Sequence, residues 1–125
     1  MDVQRQIEYW ITTAEDDLET STILIDRGKI LQGLFFCHLC VEKAIKAHFV
    51  RCAKDFPPKS HNLSFLLDKT NLILDEAQLK VCDTLMYYQL EGRYPEHYPK
   101  APSLESAVEV SKQAQSLFLW LKKKL

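Results

Sequence analysis

Ile30-Leu-Gln-Gly-Leu-Phe-Phe-Cys-His-Leu-Cys-Val-Glu-Lys-Ala-Ile-Lys-Ala-His-Phe-Val-Arg-Cys-Ala53 is the stretch from which the architecture follows. Leu34, Phe35, Phe36, Cys37, Leu39, Cys40, Val41, Ala44, Ile45 and Ala47 cover well over half the circumference of a helix built on it. A helix so apolar must be buried on several sides and therefore occupies the centre of a bundle. Its one polar stripe is His38, Glu42 and Lys46, at i, i+4 and i+8, with Lys43 beside it. The bland account of that stripe is a solvated or interfacial face, in which Glu42 and Lys46 form a helical ion pair in the favoured orientation. The sharper account makes it the polar wall of a ligand cleft.

Upstream, Arg27-Gly-Lys29 reads as a helix stop, with Gly28 available for a left-handed cap. So short a turn sends the first helix back antiparallel to the second. That first helix is expected from Asp2 to about Asp26. Val3, Ile7, Trp10, Ala14, Leu18, Ser21 and Ile25 recur at helical spacing to form its inner face. Downstream, Asp55-Phe-Pro-Pro-Lys59 breaks the second helix, since adjacent prolines cannot continue it. A short third helix follows, with Leu63, Leu66, Leu67 and Thr70 on one face and either Ser60 or Asn62 as its cap. Asp75-Glu-Ala-Gln78 has the form of a capping box and opens a fourth helix to about Leu90, with Leu79, Cys82, Leu85 and Met86 inward. Ser103 caps the last helix, whose inner stripe reads Leu104, Ala107, Val108, Ser111, Ala114, Leu117, Phe118 and Leu121. Lys122, Lys123 and Lys124 complement its C-terminal dipole. The expected fold is all-α: one domain over residues 1–125, an up-and-down bundle of four principal helices plus one short helix.

Composition agrees. The 125 residues hold 46% hydrophobic and 26% charged side chains, ordinary globular values. Three glycines are too few for a strand-and-turn architecture. A formal charge of −1 gives no global pull toward nucleic acid or anionic membrane, so any such contact needs a local patch. No apolar run approaches the roughly 20 residues a bilayer requires. The opening residues, Met1 to Gln6, lack the apolar region of a signal peptide, so a cytoplasmic, membrane-free location is expected. Cys37-His-Leu-Cys40 has redox or metal spacing, but it lies within a helical run and has no second ligand pair. Core thiols are the favoured reading, with no metal and no cofactor.

Twelve residues break the helical pattern late in the chain: Glu91-Gly-Arg-Tyr-Pro-Glu-His-Tyr-Pro-Lys-Ala-Pro102. A helix connection of this length is usually functional or disordered. Three prolines and two tyrosines stiffen it against disorder. It carries Arg93, a fork-shaped anion binder, and His97, which titrates near neutrality.

Taken in order, Trp10, the Ala14/Asp17/Leu18 neighbourhood, Phe36-Cys-His-Leu-Cys-Val-Glu-Lys-Ala-Ile-Lys-Ala47, Pro57-Pro-Lys-Ser-His-Asn-Leu63 and Arg93-Tyr-Pro95 resemble a HEPN domain, first proposed to bind nucleotides. The resemblance spans essentially the whole chain. It implies a small helical domain that commonly forms homodimers. It also implies a prokaryotic protein paired with a minimal nucleotidyltransferase in a toxin–antitoxin-type couple. Many catalytic HEPN proteins are metal-independent endoribonucleases with an Arg and a His four to six residues apart, facing their counterparts across a dimer cleft. Here only Tyr94, Pro95 and Glu96 separate Arg93 from His97.

Three readings of the loop stand side by side. In the first, His97 acts as acid or base while Arg93 grips the scissile phosphate. In the second, Arg93, Tyr94, Lys43, Lys46 and His61 contact nucleotide or RNA without chemistry. In the third, Arg93 pins the loop by pairing with Glu91 or Glu96, and the protein is a structural dimeric interaction module. His61, ahead of the third helix, either caps backbone groups locally or faces the ligand. Tyr87, Tyr88, Tyr94 and Tyr98 gather about the loop, suited to a protein interface or to base stacking.

Overall fold

The computed structural model describes residues 1–125. Five α-helices run in chain order: α1 (Val3–Asp26), α2 (Ile30–Ala53), α3 (Leu63–Leu67), α4 (Glu76–Tyr87) and α5 (Leu104–Lys123). A single 3-10 turn, Pro95–His97, interrupts the α4–α5 loop. α2 packs against all four of the other helices, as its apolar circumference requires.

Local chemistry sets the helix ends. Asp2 caps α1 by accepting from the amide of Arg5, and Ser103 caps α5 by accepting from that of Ser106. Asn62, rather than Ser60, caps α3 through the amide of Phe65, while Ser60 Oγ accepts from the amide of Asn62. At α4 the capping box is complete: Asp75 accepts from the amide of Gln78, and Gln78 accepts from the amide of Asp75. Gly28, at φ 80°, makes the left-handed turn between α1 and α2.

α1 and α2 form a close antiparallel pair. At Gly33, a Cβ would lie 2.5 Å from Ile25 Cγ1 and 3.0 Å from the main-chain oxygen of Ser21. The α2 and α5 ends are tied together too. His48 Nε2 donates to the Leu121 carbonyl at 2.7 Å, and Arg51 Nη1 donates to the Lys124 carbonyl at 2.8 Å. The core comprises Ile7, Ile11, Ala14 and Ile25 of α1, most of α2, Leu63 and Leu66 of α3, Leu85 of α4, and Ala107, Ala114, Phe118 and Leu121 of α5. No helix is long and apolar enough to cross a membrane.

Four expectations need correction. α4 stops at Tyr87 rather than near Leu90, and the carbonyl of Tyr87 accepts from Arg93 in the following loop. Leu79 is 46% exposed, on the outer face of a helix covered only from one side. Leu104 and Val108 are also exposed; they overhang the end of α1 and line a shallow groove with Thr22, Ile25 and Asp26. Finally, the polar stripe of α2 is no solvated face: His38, Glu42 and Lys46 are 0%, 2% and 6% exposed. The chain entering α3 folds over them.

Candidate functional site

The stripe on α2 becomes a network because α3 brings His61 onto it. Lys46 Nζ donates to Glu42 Oε2 at 3.0 Å, one helical turn away. On the other oxygen of the same carboxylate, His61 Nδ1 donates to Glu42 Oε1 at 2.8 Å. The backbone of His61 is held as well, since His38 Nε2 donates to its carbonyl at 2.9 Å. That bond places the His38 proton on Nε2. Burial keeps the His38 imidazole below its ordinary pKa, with the Glu42 carboxylate opposing the shift. Nδ1 of His38 has no hydrogen-bond partner and lies 3.8 Å from Glu42 Oε1.

The network reaches the surface at His61. Its second nitrogen, Nε2, sits 3.2 Å from Glu91 Oε2 at the start of the α4–α5 loop. Both ring nitrogens thus face carboxylate oxygens. Toward α1 the polar seam continues. Lys43 Nζ pairs with Asp17 Oδ2 at 2.7 Å, and Lys46 Nζ lies 5.5 Å from the Trp10 ring centroid. Burial raises the Asp17 carboxyl above its usual range, with the Lys43 hydrogen bond pulling the other way. Trp10 Nε1 is buried without a partner.

Arg93 and His97 are neighbours, joined through the main chain. Arg93 Nη1 donates to the carbonyls of Tyr87 (3.3 Å) and Gln89 (3.2 Å), and Nη2 donates to the carbonyl of His97 (2.5 Å). The guanidinium therefore caps α4 and clasps the 3-10 turn. The carboxylates of Glu91 and Glu96 are not its partners. The imidazole of His97 is 72% exposed, with Nε2 4.0 Å from Glu96 Oε1. Tyr94 and Tyr87 are exposed, whereas Tyr88 is buried edge-on to Tyr87. Lys43, Lys46, His61 and Arg93 are thus all engaged within the chain, and Tyr94 alone of the five expected ligand contacts is free.

Cys37 and Cys40 are fully buried in α2, and burial pushes both thiols up. Cys82 is raised to about 11 for the same reason. Such protonated thiols pack as small apolar groups.

The HEPN domain model matches residues 7–125. The chain belongs to the HEPN family. Two solved structures share the HEPN fold seen here. TT1696 from Thermus thermophilus is 20% identical, with a TM-score of 0.80 over 96% of this chain and 98% of that one. ST0689, an archaeal HEPN homologue, is 24% identical, with a TM-score of 0.70 over 94% of this chain and 96% of that one. At these identities the likeness is one of fold. No curated protein matches the chain.

Two members of the site lay outside sequence reasoning. The Glu91 contact to His61 joins distant parts of the chain and depends on how the loop folds back. Asp17 carried a usable signal: it falls between Ala14 and Ser21, on the inner face of α1, where a carboxylate requires a buried partner.

Proposed function

We propose that this HEPN protein works by binding rather than cleavage: a homodimeric partner of a minimal nucleotidyltransferase, in a toxin–antitoxin-type couple, that recognises nucleotide or RNA. The observation that carries this reading is the triple donation of Arg93 to main-chain carbonyls. An arginine that stabilises a phosphorane must direct its paired N–H groups at the phosphate oxygens. Here those groups are spent on Tyr87, Gln89 and His97. Binding needs less: exposed aromatic faces and a donor. Tyr87 and Tyr94 offer the faces at the rim of the loop, and His61 offers the donor.

A second copy of the chain suits the apolar side chains left uncovered along α4 and α5, among them Leu79, Leu104 and Leu119. Pairing with a nucleotidyltransferase is the expectation that membership of the HEPN family brings.

The test has two arms. Purified protein with RNA and excess chelator is expected to leave the RNA intact, and His97→Ala to behave as wild type. Cleavage that is lost in His97→Ala overturns the reading in favour of a metal-independent ribonuclease. Mixed with a minimal nucleotidyltransferase from the same source, the protein is expected to co-elute at micromolar concentration, and separate elution removes the partnership.

A further inference from the structure

The mouth of α3 holds a ring nitrogen that two other residues position and a third covers. His61 is fixed at its carbonyl by His38 and at Nδ1 by Glu42, both almost wholly buried. Its Nε2 nevertheless points outward, and the side chain is 36% exposed. Burying a carboxylate and two basic side chains in a helical core is costly. Spending that arrangement on orienting a partly exposed imidazole is how proteins hold a ligand-contacting group.

What covers Nε2 is the Glu91 carboxylate, which is 57% exposed. The two bonds to His61 differ in kind. The inner one, to Glu42, is short, buried and backed by Lys46. The outer one is longer, exposed, and made by a residue of the α4–α5 loop rather than of a helix. An exposed ion pair of this sort contributes little and yields readily to a competing anion. Glu91 places a carboxylate oxygen where a phosphate would place one of its own.

We propose that Nε2 of His61 is the anion-binding donor for a terminal phosphate, of a free nucleotide or of an RNA end, and that Glu91 is the resident carboxylate this phosphate displaces. The inference rests on the binding function above and adds to it an internal competitor. Displacing Glu91 also detaches the start of the loop that Arg93 organises, so ligand binding and loop position are coupled. Glu42 and Lys46 are positioning residues: they aim the ring and do not touch the ligand.

The measurement is affinity by calorimetry together with the imidazole resonances of His61 in isotope-labelled protein. The probes are ADP, pyrophosphate, adenosine, and a short oligoribonucleotide with or without a 5′-phosphate. Glu91→Gln keeps the size of the side chain and removes its charge, and is expected to bind ADP about three- to five-fold tighter than wild type. Glu96→Gln removes the same charge from the same loop without touching His61, and is expected to change nothing. His61 resonances are expected to move with ADP and pyrophosphate but not with adenosine. The oligoribonucleotide arm separates a free nucleotide from an RNA end. If ADP or the phosphorylated oligoribonucleotide binds, but Glu91→Gln matches wild type and the His61 signals stay still, the displacement mechanism is wrong while the binding function survives. Equal tightening by Glu91→Gln and Glu96→Gln also overturns it, because the effect is then one of bulk charge. If no probe binds wild type or Glu91→Gln, both readings fall.

Discussion

Nδ1 of His61 and Oε1 of Glu42 lie 2.8 Å apart, nineteen positions apart in sequence, and this bond anchors the entrance of α3 to the middle of α2. Glu42 also neutralises Lys46, itself only 6% exposed. Glu42→Ala leaves that ammonium buried and alone, so the expected loss of stability is about 3–5 kcal/mol. Replacing both partners, Glu42→Leu with Lys46→Met, is expected to recover most of it, because no charge is then stranded. Urea denaturation of Glu42→Leu, Lys46→Met and the double variant checks the cycle. Additive losses would show that the pair does not act as a unit.

Arg93 is expected to matter for order in the loop. Arg93→Ala removes three donations to carbonyls at an exposed site, and the expected cost is about 1–2 kcal/mol. Faster amide exchange at Arg93, His97 and Tyr98, and faster proteolysis between Glu91 and Pro102, are the accompanying signs. Arg93→Lys is expected to rescue little, since an ammonium cannot fork to carbonyls on both sides of the turn. Full rescue by lysine would indicate that charge, and not the clasp, holds the loop.

Acid is expected to weaken the fold through its buried imidazoles. Burial holds His48 below the ordinary value of 6.5, against the pull of its bond to the Leu121 carbonyl, and holds His38 low likewise, against Glu42. In the unfolded chain both take up protons near pH 6.5, whereas in the folded protein they do so only at lower pH. Their contribution is therefore complete above about pH 6.5 and declines as the pH falls through the folded values. Tm is expected to drop between about pH 7 and pH 5. His48→Gln, whose amide can still donate to Leu121, is expected to flatten part of that slope. An unchanged slope in the variant would remove His48 from the account.

Gly33 sets a conflict between helix propensity and packing. Alanine is favoured over glycine by about 1 kcal/mol in a helix interior. The added methyl group, however, would meet Ile25 at 2.5 Å and the Ser21 backbone oxygen at 3.0 Å. Ile25 can shift by rotation, but the backbone of α1 cannot, and overpacking of this kind costs about 1–3 kcal/mol. Gly33→Ala is expected to lower Tm, and a higher Tm would mean that α1 and α2 separate without penalty.

The helices were legible because each carries its own local signals. α2 was readable to both ends from the Gly28 turn before it and the paired prolines after it, and α4 announced its start through Asp75 and Gln78. At the rims of α4 and α5 periodicity misled: Leu79, Leu104 and Val108 keep the spacing of a core stripe but are left exposed. The site was half legible. His38, Glu42, Lys46, His61, Arg93 and His97 are residue types that announce chemistry, and all stand out in the sequence. Their partners were not readable, because Glu91 meets His61 only through the path of an irregular loop, and Arg93 bonds to carbonyls that every residue possesses. Sequence names side chains; it does not say that a guanidinium will choose the main chain over two adjacent carboxylates.

Three of the four thiols lie sealed in the bundle, and Cys52, near the end of α2, is open to solvent. A maleimide dye or nitroxide will therefore attach at one position of the native polypeptide, with no engineering. On a twofold assembly those labels come in pairs, so a single distance measurement between them, by energy transfer or pulsed spin resonance, reports how two molecules are arranged.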